Sequence, residues 1–137
     1  MASKTVYNPL DVIMIVDGYT ITGVAEDSFF KVEPLTKESV TTQVGAYGDT
    51  AFTYINDNRY KIVVTLMGNS PSNKVLQDLA NSKKSFATVL KNTSDGGYIG
   101  SGADSMIMTR PSIEFGKELK DIEWEVTVND FSGMFTE

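Results

Sequence analysis

Within Leu119 to Asn129 the chain alternates from Asp121 onward: Ile122, Trp124, Val126 and Val128 are apolar, whereas Asp121, Glu123, Glu125, Thr127 and Asn129 are polar. Successive side chains of an extended backbone point to opposite faces, so this stretch predicts a strand with one buried face and one wet face. The same period of two recurs along the chain. Leu10 to Val16 is rich in Val and Ile, Asp17-Gly18 is a favoured two-residue hairpin turn, and Tyr19 to Val24 reads as the return strand. Ser28 to Glu33, Ala51 to Asn56, Tyr60 to Met67, Phe86 to Lys91 and Ser105 to Thr109 are further predicted strands, and Asn56-Asp57-Asn58 reads as the turn before Tyr60.

One segment breaks this rule. In NSPSNKVLQDLANSK, Val75, Leu76, Leu79 and Ala80 recur at helical spacing, which predicts an α-helix over about residues 72–82. Ser70 or Ser72 is its expected cap, Pro71 suits its first turn, and Lys83 and Lys84 suit the negative end of its dipole. The fold class is therefore mainly β, a small β-barrel or β-sandwich with one flanking α-helix. At 137 residues the chain fits a single domain, 1–137. Within it we expect an N-terminal arm over 1–9, a long loop or extended hairpin over 33–50 and a C-terminal tail over 131–137. Both faces of Leu10 to Val16 and of Tyr60 to Met67 carry apolar residues, more than one barrel or sandwich interior covers, so contact between copies of the chain is expected.

Composition removes most enzyme classes. The chain has no His and no Cys, which eliminates the commonest general base, thiolate metal sites and every Ser-His or Cys-His nucleophile pair. With 12 Lys and Arg against 18 Asp and Glu its formal net charge is -6, so it offers no basic field for tight nucleic-acid binding. Its longest apolar run, Val12 to Val16, is too short to span a bilayer, and no leader pattern opens the chain, so a soluble protein without membrane insertion is expected. Asp121, Glu123 and Glu125 share one strand face with neighbours about 7 Å apart. Such a row could hold Ca²⁺ or act as an acid–base pair, but no ligands converge from other segments, so a solvated polar stripe is the better reading. No catalytic, cofactor-binding or metal-binding residue is assigned. A carbohydrate-binding β-sandwich using Tyr47, Tyr54 and Tyr98 as stacking platforms is a further alternative.

The glycines of SDGGYIGSGAD, residues 94–104, resemble a phosphate cradle only superficially. A phosphate-binding loop must lead into a helix N-terminus, whereas the next residues here, Ser105 to Thr109, alternate as a strand. Asp95-Gly96 instead suits a turn between a strand ending near Asn92 and one entering through Tyr98. Gly100 and Gly102 suit a bulge or the close approach of another chain.

Three blocks of sequence then point to a known family. The opening YNPLDVIMIVDGYTITGVAEDSFFKVE, the strand–helix junction LMGNSPSNKVLQDL and the C-terminal EFGKELKDIEWEVTV resemble, in order, the tail-tube proteins of contractile-tailed bacteriophages. The central VGAYGDTAF is similar to a Gly- and Asp-bearing segment of that family, with an extra aromatic at Tyr47. The resemblance implies a tail-tube-like barrel or sandwich that forms hexameric rings. These stack into the hollow inner tube of the virion tail, assembled in the host bacterial cytoplasm, through which DNA passes without tight binding. It also implies tail sheath, baseplate or tail-tip, and tape-measure partners. On this reading Thr36, Val40, Thr42, Val44 and Tyr47 are candidate inter-ring contacts, and Asp121, Glu123 and Glu125 are candidate lumen-lining residues. The tube of a type VI secretion system or of a phage-like bacteriocin would obey the same physics.

Overall fold

A computed structural model describes residues 5–26 and 29–136. A 3₁₀ turn at Pro9–Asp11 leads into β1 (Val12–Val16), and the predicted Asp17-Gly18 turn, with both residues at positive φ, returns the chain as β2 (Tyr19–Thr20). The remaining elements are β3 (Phe30–Pro34), β4 (Val40–Val44), β5 (Thr50–Tyr54), β6 (Tyr60–Met67), α1 (Ser72–Ser82), β7 (Phe86–Asn92), β8 (Tyr98–Met106), β9 (Asp121–Val128) and β10 (Ser132–Phe135). The protein is mainly β with one α-helix. Ser28, the expected start of the third strand, lies outside the described residues, as do Met1–Lys4 of the arm and Glu137 of the tail.

The main sheet runs β2-β1-β7-β8-β9-β6-β3, with β10 added to β8, and every pairing is antiparallel. The expected return strand over Tyr19 to Val24 is broken after Thr20, because the chain leaves β1 and crosses to β6. There Val24 bridges Leu66, Ala25 N–H donates to Thr65 O at 2.9 Å, and Met67 N–H donates to Gly23 O at 2.9 Å. This crossing brings the two sides of the sheet together as a barrel. A closed sheet hides its edges and encloses a side-chain core.

The core follows from the alternation. Ile62, Val64 and Leu66 of β6 stand opposite Val126, Trp124 and Ile122 of β9, and all six are buried. Met14 and Val16 from β1, Phe86 and Leu90 from β7, and Leu76 and Ala80 from α1 join the cluster, together with Ile21, Ile107, Val128 and Phe131. Burying each large aliphatic side chain contributes about 1.5–3 kcal/mol. Trp124 is buried because its one polar atom is satisfied: the indole N–H donates to Asn73 Oδ1 at 3.0 Å. The helix is anchored at its start by two serines. Ser70 Oγ donates to Thr22 O at 2.6 Å and accepts the Ser72 N–H at 3.2 Å, while Ser72 Oγ accepts the Thr22 N–H at 2.8 Å. Ser70 is thus the residue whose hydroxyl satisfies a first-turn amide, and Ser72 ties the helix to the barrel.

The glycine-rich stretch is a turn followed by the interior of a strand. The turn at Asp95-Gly96 connects β7 to β8, and Ser105 to Thr109 is corrected from a separate strand to the last residues of β8 plus an irregular exit. β8 is bulged: Phe86 faces Ser105 and Thr88 faces Gly102, so three steps on β8 match two on β7. The close approach expected from another chain is made within this one. A Cβ at Gly100 would strike the ring of Phe131, and a Cβ at Gly102 would strike Val128 Cγ1. The tail beyond Phe131 then lies along β8 as β10, with Phe135 opposite Tyr98 and their rings 5.0 Å apart.

Gly100→Ala is expected to lower unfolding free energy by about 1–3 kcal/mol, as overpacking does. Gly45→Ala, where an added Cβ meets nothing closer than 3.6 Å, is the matched control. Urea unfolding of the pair checks this.

Candidate assembly surfaces

The segment between β3 and β6 contains an extended hairpin. β4 and β5 pair with each other alone, as a two-stranded sheet outside the barrel, so Ala51 to Asn56 is corrected from a further strand of the main sheet to one arm of this ribbon. Its register is Val40 opposite Tyr54, Thr42 opposite Phe52 and Val44 opposite Thr50. Directly paired residues share a face, so Val40, Thr42, Val44, Thr50, Phe52 and Tyr54 form one side, and Thr41, Gln43, Ala51 and Thr53 form the other. The first side is apolar and aromatic, yet Val44, Phe52 and Tyr54 are 71%, 72% and 76% exposed. Tyr47, at the tip, is 97% exposed on a turn closed by Gly45 N–H donating to Asp49 O at 2.6 Å and Gly48 N–H donating to Gly45 O at 3.1 Å. An isolated two-stranded ribbon is marginal in water, and one with a bare apolar face is more so.

Four of the five candidate contact residues are therefore on this ribbon. Val40, Thr42 and Val44 share the apolar side, Tyr47 is at the tip, and Thr36 sits apart at the base, where its hydroxyl donates to Asp57 Oδ2 at 2.5 Å. Phe52 and Tyr54 are the side chains that reading the chain as a set of barrel strands overlooked. The pattern that reveals them is the five-residue turn Gly-Ala-Tyr-Gly-Asp between two alternating runs.

The base of the ribbon is held by one carboxylate. Besides Thr36, Asp57 accepts the Arg59 backbone N–H at 3.1 Å and a two-pronged contact from the Arg59 guanidinium at 2.9 Å on each oxygen. The Arg59 and Thr36 hydrogen bonds hold the Asp57 carboxyl well below the usual carboxylate range. The expected turn at Asn56-Asp57-Asn58 thus also ties the ribbon down.

The second surface is the outer face of β3, β6 and β9. Asp121, Glu123 and Glu125 project from it side by side, opposite Met67, Thr65 and Val63. They do not stand alone. Lys61 Nζ lies 3.6 Å from Glu125 and 3.7 Å from Glu33, and Lys31 Nζ lies 2.7 Å from the other oxygen of Glu33. The hydrogen bond and charge of Lys31 draw the Glu33 carboxyl below its ordinary value, and Glu33 raises Lys31 in return. Arg110 borders the same carboxylates. On this face Lys31 and Lys61 pair with Glu33 and Glu125, while Asp121 and Glu123 stand opposite the uncharged Met67 and Thr65. Its apolar members are Val63, half-buried, and Met67, 39% exposed.

Of the three tyrosines considered as stacking platforms, Tyr47 and Tyr54 lie at opposite ends of the ribbon, and Tyr98 packs edge-on against Phe135. They form no common platform. Among the described residues no group of three or more Asp or Glu is arranged to hold a metal ion. Among the same residues no helix is long and apolar enough to cross a membrane.

No family model matches the chain, and neither does any curated protein. Solved structures do. The chain superposes on the tube-terminating cap of the anti-feeding prophage with a TM-score of 0.67 at 10% identity, covering 99% of this chain and 95% of that one. It superposes equally well, at 0.67 and 13% identity over 97% of this chain and 99% of the other, on a chain of the sheath/tube terminator of the PVC extracellular contractile injection system. A chain of the PVC sheath–tube complex in the extended state matches at 0.65 and 14% identity, over 95% of this chain and 92% of that one. This is the fold of structural parts of contractile injection systems. Likeness at these identities is a matter of backbone path, and it runs through nearly the whole chain.

The double substitution Phe52→Ser and Tyr54→Ser is expected to change the unfolding free energy of dispersed subunits by no more than about 0.5 kcal/mol, because exposed side chains contribute little to folding. Thermal and urea unfolding would check this; a larger loss would mean that the ribbon packs on its own barrel.

Proposed function

We propose that this protein is a non-enzymatic structural subunit of a contractile tail. It assembles into hexameric rings that stack as the hollow inner tube, and the β4–β5 ribbon contacts the adjacent ring. The observation that carries this reading is the ribbon itself: an apolar, aromatic face held out from a barrel, with nothing from the described residues of its own chain to cover it. The shared fold supports it, since the similar chains come from tube terminators and a sheath–tube complex. So do the sequence blocks that resemble phage tail-tube proteins.

In this reading Val40, Thr42, Val44, Tyr47, Phe52 and Tyr54 are the inter-ring contacts. Asp121, Glu123 and Glu125 line the lumen, where the net charge of -6 over the chain disfavours phosphate contacts and lets DNA slide. The outer surface of the tube meets the sheath, the ends meet baseplate or tail-tip components, and the tape-measure protein occupies the lumen before ejection. The subunit is made in the host cytoplasm and carried in the virion tail.

A second reading has its own support. Two of the similar structures are a tube-terminating cap and a sheath/tube terminator, so a single ring that ends a tube is the competing role. Negative-stain electron microscopy of the purified chain with mass measurement separates the two. Long hollow tubes are expected for the tube subunit, and isolated rings that never stack would favour the terminator. A persistent monomer at high concentration would overturn both. Val44→Asp and Phe52→Asp each introduce a charge into the apolar contact. Leaving such a polar group buried and unpaired costs about 1–3 kcal/mol, so stacking should require roughly tenfold more protein or more. Ring formation should be unaffected.

A further inference from the structure

A ribbon that must meet a neighbouring ring has to leave its barrel at a defined angle, and its strand pairing stops at Val40 and Tyr54, short of the barrel. Two five-residue legs, 35–39 and 55–59, join it to β3 and β6, and neither leg belongs to a strand. Two main-chain hydrogen bonds tie the legs to each other: Ile55 N–H to Ser39 O at 2.9 Å and Leu35 N–H to Arg59 O at 3.1 Å. Between these two points the side chain of Asp57 joins the legs.

We infer that Asp57 is the positioning residue that sets the direction of the β4–β5 ribbon, by bonding Thr36 on the ascending leg while being gripped by Arg59 on the descending one. Both carboxylate oxygens are used twice: Oδ1 accepts the Arg59 backbone N–H and Nε–H, and Oδ2 accepts an Arg59 terminal amine and the Thr36 hydroxyl. A carboxylate with four donors in a fixed arrangement has no rotamer freedom left. The Asp57 side chain is 17% exposed against 54% for Arg59, so the carboxylate is the more shielded partner of the pair. The descending leg is fixed to the barrel in turn, because Phe131 N–H donates to Asn58 O at 3.2 Å and the rings of Tyr60 and Phe131 lie 4.8 Å apart. The chain of contacts therefore runs from the core residue Phe131 through the 55–59 leg to Asp57, and from Asp57 across to Thr36 and the start of the ribbon. Charge-assisted hydrogen bonds of this kind are the stronger ones, and the planar fork of arginine adds direction.

The functional meaning of this bracket rests on the assembly reading above, but its test uses dispersed subunits and so succeeds or fails independently of that reading. The chain contains no cysteine, so a pair introduced as Tyr47→Cys at the ribbon tip and Lys84→Cys beyond α1 can be spin-labelled without interference. Interspin distances on monomers held below the assembly concentration should give one narrow distribution in the parent and a distribution about twice as broad or more in Asp57→Ala and Thr36→Val. Thr36→Ser, which keeps the hydroxyl, should restore the narrow form. Amide exchange over residues 40–54 should rise roughly tenfold in the same variants, in line with loss of a charge-assisted hydrogen bond. The barrel melting temperature is read alongside, since a purely structural role would move it and leave the distribution width alone. Broadening at parent-like melting in either variant supports the inference. Parent-like width in both overturns it, and if Asp57→Ala does not fold, Thr36→Val decides alone.

Discussion

The pairing of β6 with β9 is the interaction on which the rest of this structure depends. Eight residue pairs stand in register, and on the inward side Ile62, Val64 and Leu66 lie opposite Val126, Trp124 and Ile122. Trp124 connects this wall to the helix through Asn73, and Leu66 receives the chain returning from β2 through its bridge to Val24. A one-residue slip in this ladder would drive Asp121, Glu123 and Glu125 into the core and put Ile122, Trp124 and Val126 into water. Register, barrel closure and helix docking are therefore one constraint seen from three sides.

The same ladder accounts for the division of labour between the surfaces. Its inward side is uniformly apolar, so its outward side is free to carry charge, and Lys61 links the carboxylates of β3 and β9 there. The ribbon obeys a different logic. It contributes nothing to the core, has a single charged residue, Asp49, between Val40 and Tyr54, and presents its apolar side outward. Edge strands that must remain monomeric usually carry Lys, Pro or a bulge, and β4 and β5 carry none of these. That absence is what the proposed contact with an adjacent ring requires.

The tightly packed end of the barrel around Phe131 links these two regions. Gly100 accepts the ring of Phe131 where any side chain would collide with it, and Phe131 in turn stacks near Tyr60 and fixes the leg that bears Asp57. The glycine-rich stretch thus has a mechanical role in place of a ligand: close packing inside the barrel is carried outward to the foot of the ribbon.

The period-two alternation within 119–129, the Asp17-Gly18 turn, the helix over 72–82 and the turn at Asp95-Gly96 were legible from the chain alone, because each rests on local geometry that neighbouring residues impose. The face shared by Asp121, Glu123 and Glu125 was legible for the same reason. Tertiary structure decided what local pattern cannot. Phe52 and Tyr54 alternate as well as any core strand, and only the lack of a partner beyond β4 makes their face a surface. Gly100 and Gly102 signal close approach, but what approaches is set by where Phe131 and Val128 fall after the chain has closed its barrel. The Asp57 bracket joins residues 21 apart in sequence, Thr36 and Asp57, across the two legs of the ribbon. One register, with Pro34 opposite Tyr60 and Val40 opposite Tyr54, brings the two legs face to face, and that pairing across separate elements is not encoded in any short window of sequence.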